Sequence, residues 1–135
     1  MWRRLKERGS DFTMEVSFME IYREKVRDLL SSASPSVSLR LREHPIHGPM
    51  VQGLTRVEVG GGGSESEGLQ KLFELLWEGE RRRASGTNGS NRTSSRSHAV
   101  WTIHLTHHGP LGSNASEESP TILSNHIHLV DLAGR

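Results

Sequence analysis

The sequence contains no cysteine, which excludes a disulfide framework and a metal site built on thiolates. Long apolar runs are also missing: no segment approaches the roughly 18 residues of a membrane-spanning helix, and no signal peptide follows the basic start. Charge of one sign is absent too, since 17 Lys plus Arg and 16 Asp plus Glu leave a net charge of +1. We therefore expect no membrane span and no nucleic-acid partner.

Alternating apolar residues predict strands at residues 12–22, 37–42, 99–106 and 127–132. The first is apolar on both faces near its end, which indicates a buried, central strand, and Trp101 alternates into the core. The spacing of Val26, Leu29 and Leu30 predicts a short helical turn over residues 24–30. Prolines and glycines predict a turn-rich loop or hairpin at residues 44–53, with residues 54–59 as its return strand.

One long helix is predicted after residue 63. Ser64 and Glu67 fit a capping box, and Gly79 is a plausible stop. One apolar face is predicted at i, i+3, i+4 and i+7, formed by Leu69, Leu72, Phe73 and Leu76. Strands and a long helix in mixed order indicate an α/β sheet.

Residues 91–98 read NRTSSRSH and place three serine and threonine hydroxyls together before Arg96, with Ser97 after it, ahead of a predicted strand. Hydroxyl oxygens can ligate Mg²⁺, and hydroxyls and amides can hold a γ-phosphate and orient an attacking water. On composition alone, a serine-rich loop that caps a strand is the favoured interpretation.

Residues 131–134 read DLAG at the end of an apolar strand. An acidic residue at a strand's carboxyl end lies where α/β proteins place ligand chemistry. Gly134, three residues after Asp131, allows a backbone N–H to approach a phosphate closely. D-x-x-G alone is a weak signal, because an aspartate that caps the following turn explains it too.

The two segments in this order, with a strand between them, resemble switch I (N-x-x-S-S-R-S-H) and switch II (L-V-D-L-A-G) of the kinesin superfamily. Other stretches agree. Residues 17–30, SFMEIYREKVRDLL, are similar to the family's S-Y-x-E-I-Y-N-E-x-V-x-D-L-L, residues 41–54 resemble R-E-x-x-x-x-G-x-x-V-x-G-L, and residues 76–83 match the helix that precedes switch I. The resemblance covers almost the whole chain.

This resemblance implies part of a kinesin-type P-loop NTPase motor domain over residues 1–135, with a mixed central β-sheet flanked by helices. In switch I it implies that Asn91 and Ser94 contact the γ-phosphate or its water. It also implies that Ser95 ligates Mg²⁺ and that Arg96 pairs with a switch II glutamate.

In switch II the resemblance implies that Asp131 holds Mg²⁺ through water and that the Gly134 N–H senses the γ-phosphate. ATP and Mg²⁺ are the implied cofactors, and microtubules are the implied partner. The implied setting is the cytoplasm, on the microtubule cytoskeleton. The complete protein is expected to couple ATP hydrolysis to movement along microtubules.

Several family features are missing from these 135 residues. None of the three lysines follows a glycine, so there is no G-x-x-x-x-G-K-S/T phosphate loop. We expect that loop upstream and the main microtubule-binding helix and switch II glutamate downstream. Arg135 stands where the family usually has serine and Arg23 where it usually has asparagine, and residues 86–90 look one residue long. The chain alone is therefore expected not to bind ATP tightly.

Two other functions stay open from the sequence. The chain could be a truncated product or pseudo-motor that only binds tubulin or partner chains. A small GTPase is disfavoured, because no guanine-specifying N-K-x-D occurs.

Histidines and arginines are interpreted as structural. Among eight histidines, a metal site at His104, His107, His108, His126 and His128 is the weaker alternative to packed or exposed strand residues. His98 is expected to be structural. Residues 81–83 are expected at a solvated helix end, and residues 44–56 correspond to a family loop that touches microtubules.

Overall fold

The computed structural model describes residues 11–32, 38–46, 48–60, 65–85, 96–108 and 122–134. The predictions for Ser64, for residues 86–90 and for residues 91–95 lie outside these ranges. The elements are β1 (Asp11–Tyr22), β2 (Lys25–Asp28), β3 (Arg40–His44), β4 (Gly48–Gln52), β5 (Val57–Gly60), α1 (Glu65–Ser85), β6 (His98–His108) and β7 (Ile122–Asp131).

The main sheet has the order β2-β1-β6-β7, and β5 also pairs with β1. Strands β3 and β4 form a separate two-stranded hairpin. The predicted combination of sheet and helix is confirmed. In the described ranges, however, every strand pairing is antiparallel and α1 is the one helix, so the expected mixed sheet flanked by several helices is not present in these residues. No helix there is long and apolar enough to cross a membrane.

The core lies between α1 and the face of the sheet that carries the even-numbered residues of β1. Phe18 on β1 meets Trp101 on β6 edge to face, with ring centroids 5.1 Å apart. The placement of β1 at the centre and of Trp101 in the core is confirmed. The fully or nearly buried apolar side chains are Phe12, Met14, Val16, Phe18, Leu29, Val59, Ala99 and Trp101.

Helix α1 crosses this face through Gly79, which the sequence had suggested as its end. That prediction is wrong, because α1 continues to Ser85. A Cβ at Gly79 would lie 2.2 Å from Cδ1 of Phe18, so glycine is required for the close approach of helix to sheet.

The predicted apolar face of α1 is only half right. Leu72 and Leu76 pack against the core, together with Leu75. Leu69 and Phe73 instead remain 45% and 64% exposed. The face that contacts the sheet is therefore rotated about the helix axis relative to the prediction.

The predicted helical turn at residues 24–30 is wrong, because Lys25–Asp28 forms β2 and pairs with β1. Arg23 and Glu24 make the connecting turn with φ of 50° and 61°, the left-handed geometry of a tight hairpin. After β2, the carboxylate of Asp28 accepts hydrogen bonds from the backbone N–H groups of Leu30 (2.9 Å), Ser31 (3.1 Å) and Thr55 (2.7 Å).

The hairpin predicted at residues 44–53 is confirmed, but its return strand is Gly48–Gln52 rather than residues 54–59. Val57–Gly60 instead joins the main sheet beside β1. The local sequence could not show this, because Gly48 and Pro49 indicate a turn, whereas the pairing with β3 that makes the segment a strand is not visible locally.

Candidate functional site

The start of β6 and the end of β7 lie side by side, because the antiparallel register pairs Ala99 with Asp131. The residue before this pair on β6 is His98, and residues 132–134 follow directly after the end of β7. The pairing therefore brings the end of the predicted switch I next to the predicted switch II.

Arg83, near the end of α1, joins these two segments. Its Nη1 donates to Oδ2 of Asp131 at 2.7 Å, while its Nε and Nη2 donate to Oγ and the carbonyl of Ser97 at 3.3 and 3.1 Å. Its side chain is 4% exposed, whereas that of Asp131 is 68% exposed. The buried guanidinium of Arg83 thus holds Ser97 of the predicted switch I and Asp131 of the predicted switch II at a fixed distance from each other.

This arrangement corrects the prediction of a solvated helix end at residues 81–83. Arg83 is buried. Arg82 donates from Nη1 to the carbonyl oxygens of Leu29 and Ser31. Arg81 alone of the three has a mostly exposed side chain, 61%, and pairs with Glu78.

A second link joins the same two segments on the other face of the sheet. The backbone N–H of Ala133 donates to Nδ1 of His98 at 3.1 Å. Because successive residues of a strand point to opposite faces, His98 and the Ala99–Asp131 pair lie on different sides. The segment before Gly134 is therefore attached to β6 independently of Arg83.

The structure describes three of the six predicted site residues. Asn91, Ser94 and Ser95 lie outside the described residues, and their roles stay predictions. Arg96 is exposed just before β6, and Gly134 is exposed three residues after the end of β7. The structure therefore brings Arg96, Asp131 and Gly134 into one region at the end of the sheet.

Asp131 is the residue in this region that suits Mg²⁺. Carboxylate oxygen is a preferred ligand for this ion, and two-thirds of the side chain remains exposed despite the Arg83 contact. Within the described ranges, no group of three or more His, Asp or Glu residues could hold a metal ion. Asp131 therefore fits the expected contact through water, and further ligands have to come from elsewhere.

The histidines on β6 and β7 form polar pairs across the sheet. Nδ1 of His104 lies 3.0 Å from Nδ1 of His126, and Nε2 of His104 lies 3.0 Å from Oγ of Ser17. Burial, followed by the nearby Arg56, lowers the pKa of His104 to about 4. Within the described residues, His104 is buried and His126 is exposed; no group of three or more His, Asp or Glu there could hold a metal ion.

Sequence reasoning missed Arg83, the residue that organises the site. A signal was available, because Arg83 follows Leu76 by seven positions and Gly79 by four, which places it on the same helix face. An arginine on a buried helix face needs an acidic partner, and Asp131 was already predicted as a residue of the site.

Comparison with known proteins supports one family over the full length. The kinesin motor domain family matches residues 1–135. Human StAR-related lipid transfer protein 9 is 40% identical over 127 residues, covering 93% of this chain and 2% of that protein. Mouse kinesin-like protein KIF16B is 40% identical over 126 residues (93% and 9%), and human kinesin-like protein KIF1C is 43% identical over 125 residues (91% and 10%).

A solved structure has the same architecture. It is titled "Structure of a fast kinesin: Implications for ATPase mechanism and interactions with microtubules", and it superimposes with a TM-score of 0.70 at 32% identity. The match covers 93% of this chain and 31% of that chain, so these 135 residues span less than a third of the solved chain and a tenth or less of the three curated relatives. Together with the adjoining switch-like segments, these matches show that the chain belongs to the kinesin motor domain family.

Proposed function

We propose that this chain supplies the two nucleotide-sensing segments of an ATP-driven microtubule motor that acts on the cytoskeleton in the cytoplasm. The observation that supports this most is the Arg83 bridge between Ser97 and Asp131. A motor must convert the presence of a γ-phosphate into movement. Two sensing segments tied to one buried side chain can respond to that phosphate as a unit.

In switch I, Asn91 and Ser94 contact the γ-phosphate or its attacking water, and Ser95 ligates Mg²⁺. Arg96 closes the site by pairing with an acidic residue of switch II. The exposure of Arg96 is consistent with this role, since its side chain is accessible for such a contact. The family resemblance supplies these four roles.

In switch II, Asp131 holds a water of the Mg²⁺ shell, and the N–H of Gly134 approaches the γ-phosphate. When bound, the ion neutralises charge on the phosphates. Arg83 keeps the Asp131 carboxylate in a fixed orientation, because a charge-assisted hydrogen bond of 2.7 Å holds one of its oxygens.

A non-enzymatic role is the second candidate, because the 135 residues contain no phosphate loop. In that case the chain binds tubulin or partner chains without hydrolysing ATP. The coding sequence around the chain distinguishes the two. A phosphate-loop motif upstream and a glutamate directly after Arg135 support the motor, whereas a genuine start at Met1 and stop after Arg135 support the non-enzymatic role.

The direct test is ATP hydrolysis by the complete motor domain that contains this chain, with and without microtubules. We expect stimulation by microtubules, and a loss of about 10- to 100-fold in turnover for Asp131→Asn, as for other residues that orient a metal's shell. Glu74→Gln, on the exposed side of α1, is the matched control and should stay within twofold. Unstimulated or absent hydrolysis in the wild-type domain would overturn the proposal.

A further inference from the structure

His98 makes a contact that none of the roles above uses. It is the first residue of β6, and its Nδ1 accepts a hydrogen bond from the N–H of Ala133 at 3.1 Å. Ala133 lies two residues beyond the end of β7, where the strand ladder has ended at the Ala99–Asp131 pair. The His98 ring therefore holds backbone that the sheet itself does not hold.

The contact fixes the state of the imidazole. A nitrogen that accepts a hydrogen bond carries no proton, so the neutral ring must have its proton on Nε2. The doubly protonated ring has a proton on Nδ1 and cannot accept the Ala133 N–H. The hydrogen bond from His98 to the segment 132–134 therefore forms only while the imidazole is neutral and in this one tautomer.

We propose that His98 is a positioning residue for the Gly134 N–H, which rests on the role given to Gly134 in the proposed function. Gly134 follows Ala133 directly, so fixing the Ala133 N–H limits where the next peptide can lie. The link also joins Gly134 to the strand that begins right after switch I. A displacement of either segment is transmitted to the other through the imidazole.

Both charged and apolar side chains lie near His98. Arg96 lies two residues earlier on the same segment, while Arg83 and Asp131 are paired with each other on the opposite face of the sheet. On the face of His98, Ile21 on β1 is its register partner, and Val130 on β7 is the partner of Val100, two residues further along β6; both are apolar.

Two substitutions of His98 distinguish the role of its hydrogen-bond acceptor from that of its aromatic ring. His98→Asn places Oδ1 where Nδ1 was, so it keeps the acceptor without titrating. His98→Phe keeps the ring and removes the acceptor. The probe is the amide proton of Ala133 in spectra of the ¹⁵N-labelled 135-residue chain, recorded between about pH 5 and 8, the range in which histidine titrates.

In the wild type, the Ala133 amide should be shifted downfield at pH 8 and move upfield as the pH falls. In His98→Asn it should remain downfield throughout, and in His98→Phe it should be upfield at every pH. A pH-independent Ala133 amide in the wild type, or a titration in His98→Asn equal to that of the wild type, would overturn the contact. The wild-type and asparagine spectra decide this even if the phenylalanine variant fails to fold.

The effect of His98 on ATP hydrolysis is tested in the complete motor domain. His98→Phe should lower kcat/KM for ATP about tenfold, and His98→Asn should restore it to within twofold of the wild type. Equal activity of the two variants would overturn the positioning role. Because the amide measurement uses no nucleotide, absence of ATP hydrolysis in the wild-type domain would instead overturn the proposed function, together with the role of His98 toward Gly134.

Discussion

Arg83 donates from Nη1 to Asp131 across 2.7 Å, although 48 positions separate the two residues in the chain. The same guanidinium donates to the side chain and backbone of Ser97. Three hydrogen bonds from one buried side chain therefore hold the start of β6 against the end of β7. The expected roles of both switch segments depend on this distance.

Replacing Arg83 should destabilise the fold more than replacing a neighbouring arginine. Arg83→Met removes hydrogen bonds that involve charged groups, so we expect a loss of about 2–3 kcal/mol in the free energy of unfolding. Arg83→Lys should recover only part of it, because one ammonium cannot match the planar fork. Urea unfolding followed by circular dichroism measures this.

Arg81→Ala is the matched control on the same helix, since the side chain of Arg81 is 61% exposed. It should cost less than about 0.5–1 kcal/mol, the range of surface ion pairs. Equal costs for Arg83→Met and Arg81→Ala would contradict the account of Arg83 as the organising residue.

Gly79→Ala should destabilise the protein although alanine is the better helix former. Alanine favours a helix by about 1 kcal/mol over glycine, but its Cβ would lie 2.2 Å from the ring of Phe18. Overpacking of this kind typically costs about 1–3 kcal/mol, so we expect a net loss.

The double variant Gly79→Ala/Phe18→Leu provides the control for this steric explanation. Because leucine leaves room where the ring was, alanine at position 79 should cost less in that background than in the wild type. An additive double-mutant cycle, measured by thermal unfolding, would argue that Phe18 is not the obstacle.

Arg23→Asn should stabilise the β1–β2 hairpin. Arg23 has a φ of 50°, which asparagine adopts more readily than arginine. The stack of the Arg23 guanidinium on Tyr22, 5.2 Å from the ring centroid, is lost and offsets about 0.5 kcal/mol of the gain. We expect a net gain of about 0.5 kcal/mol in the free energy of unfolding. Lys25→Asn, two positions on and within β2, should give no gain; an equal gain there would contradict the explanation.

Acid should destabilise the fold through His104. Its pKa is lowered from 6.5 to about 4 by burial and then by Arg56, His126 and His128. The unfolded chain therefore takes up this proton first as the pH falls. The contribution to stability is complete above about pH 6.5 and is lost progressively toward pH 4.

Unfolding in urea at pH 7.5 and 5.0 should show a difference on the order of 1 kcal/mol from this residue. His104→Gln should remove that part of the pH dependence. His108→Gln, on the exposed end of the same strand, should retain it. The same pH dependence in both variants would show that His104 is not its source.

The long strands could be predicted from sequence because their alternation is local. β1 and β6 are recovered to within two residues of their observed limits, whereas β7 begins at Ile122, five residues before its predicted start. The segment at residues 24–30 was misjudged because its fate is decided by pairing with β1 and by two left-handed residues, Arg23 and Glu24. Neither property is visible in a helix-like spacing of three apolar residues.

The types of residue at the candidate site could be predicted from the sequence, whereas the contacts between them could not. The motif sequences pointed to Arg96, Asp131 and Gly134, which the fold brings into one region. The Arg83 bridge and the His98–Ala133 hydrogen bond depend on strand register and on the position of α1 over the sheet. Gly79 was interpreted as a stop because its contact with Phe18 spans sixty-one positions in sequence.

We infer that the predicted switch I and switch II segments sense a γ-phosphate whose binding needs residues beyond the 135. Calorimetric titration of Mg²⁺–ATP tests it most directly, with the purified chain compared with the complete motor domain. We predict tight binding by the complete domain and none at sub-micromolar affinity by the chain, because the chain contains no phosphate loop. Sub-micromolar binding by the chain alone, or no binding by the complete domain, would contradict the account.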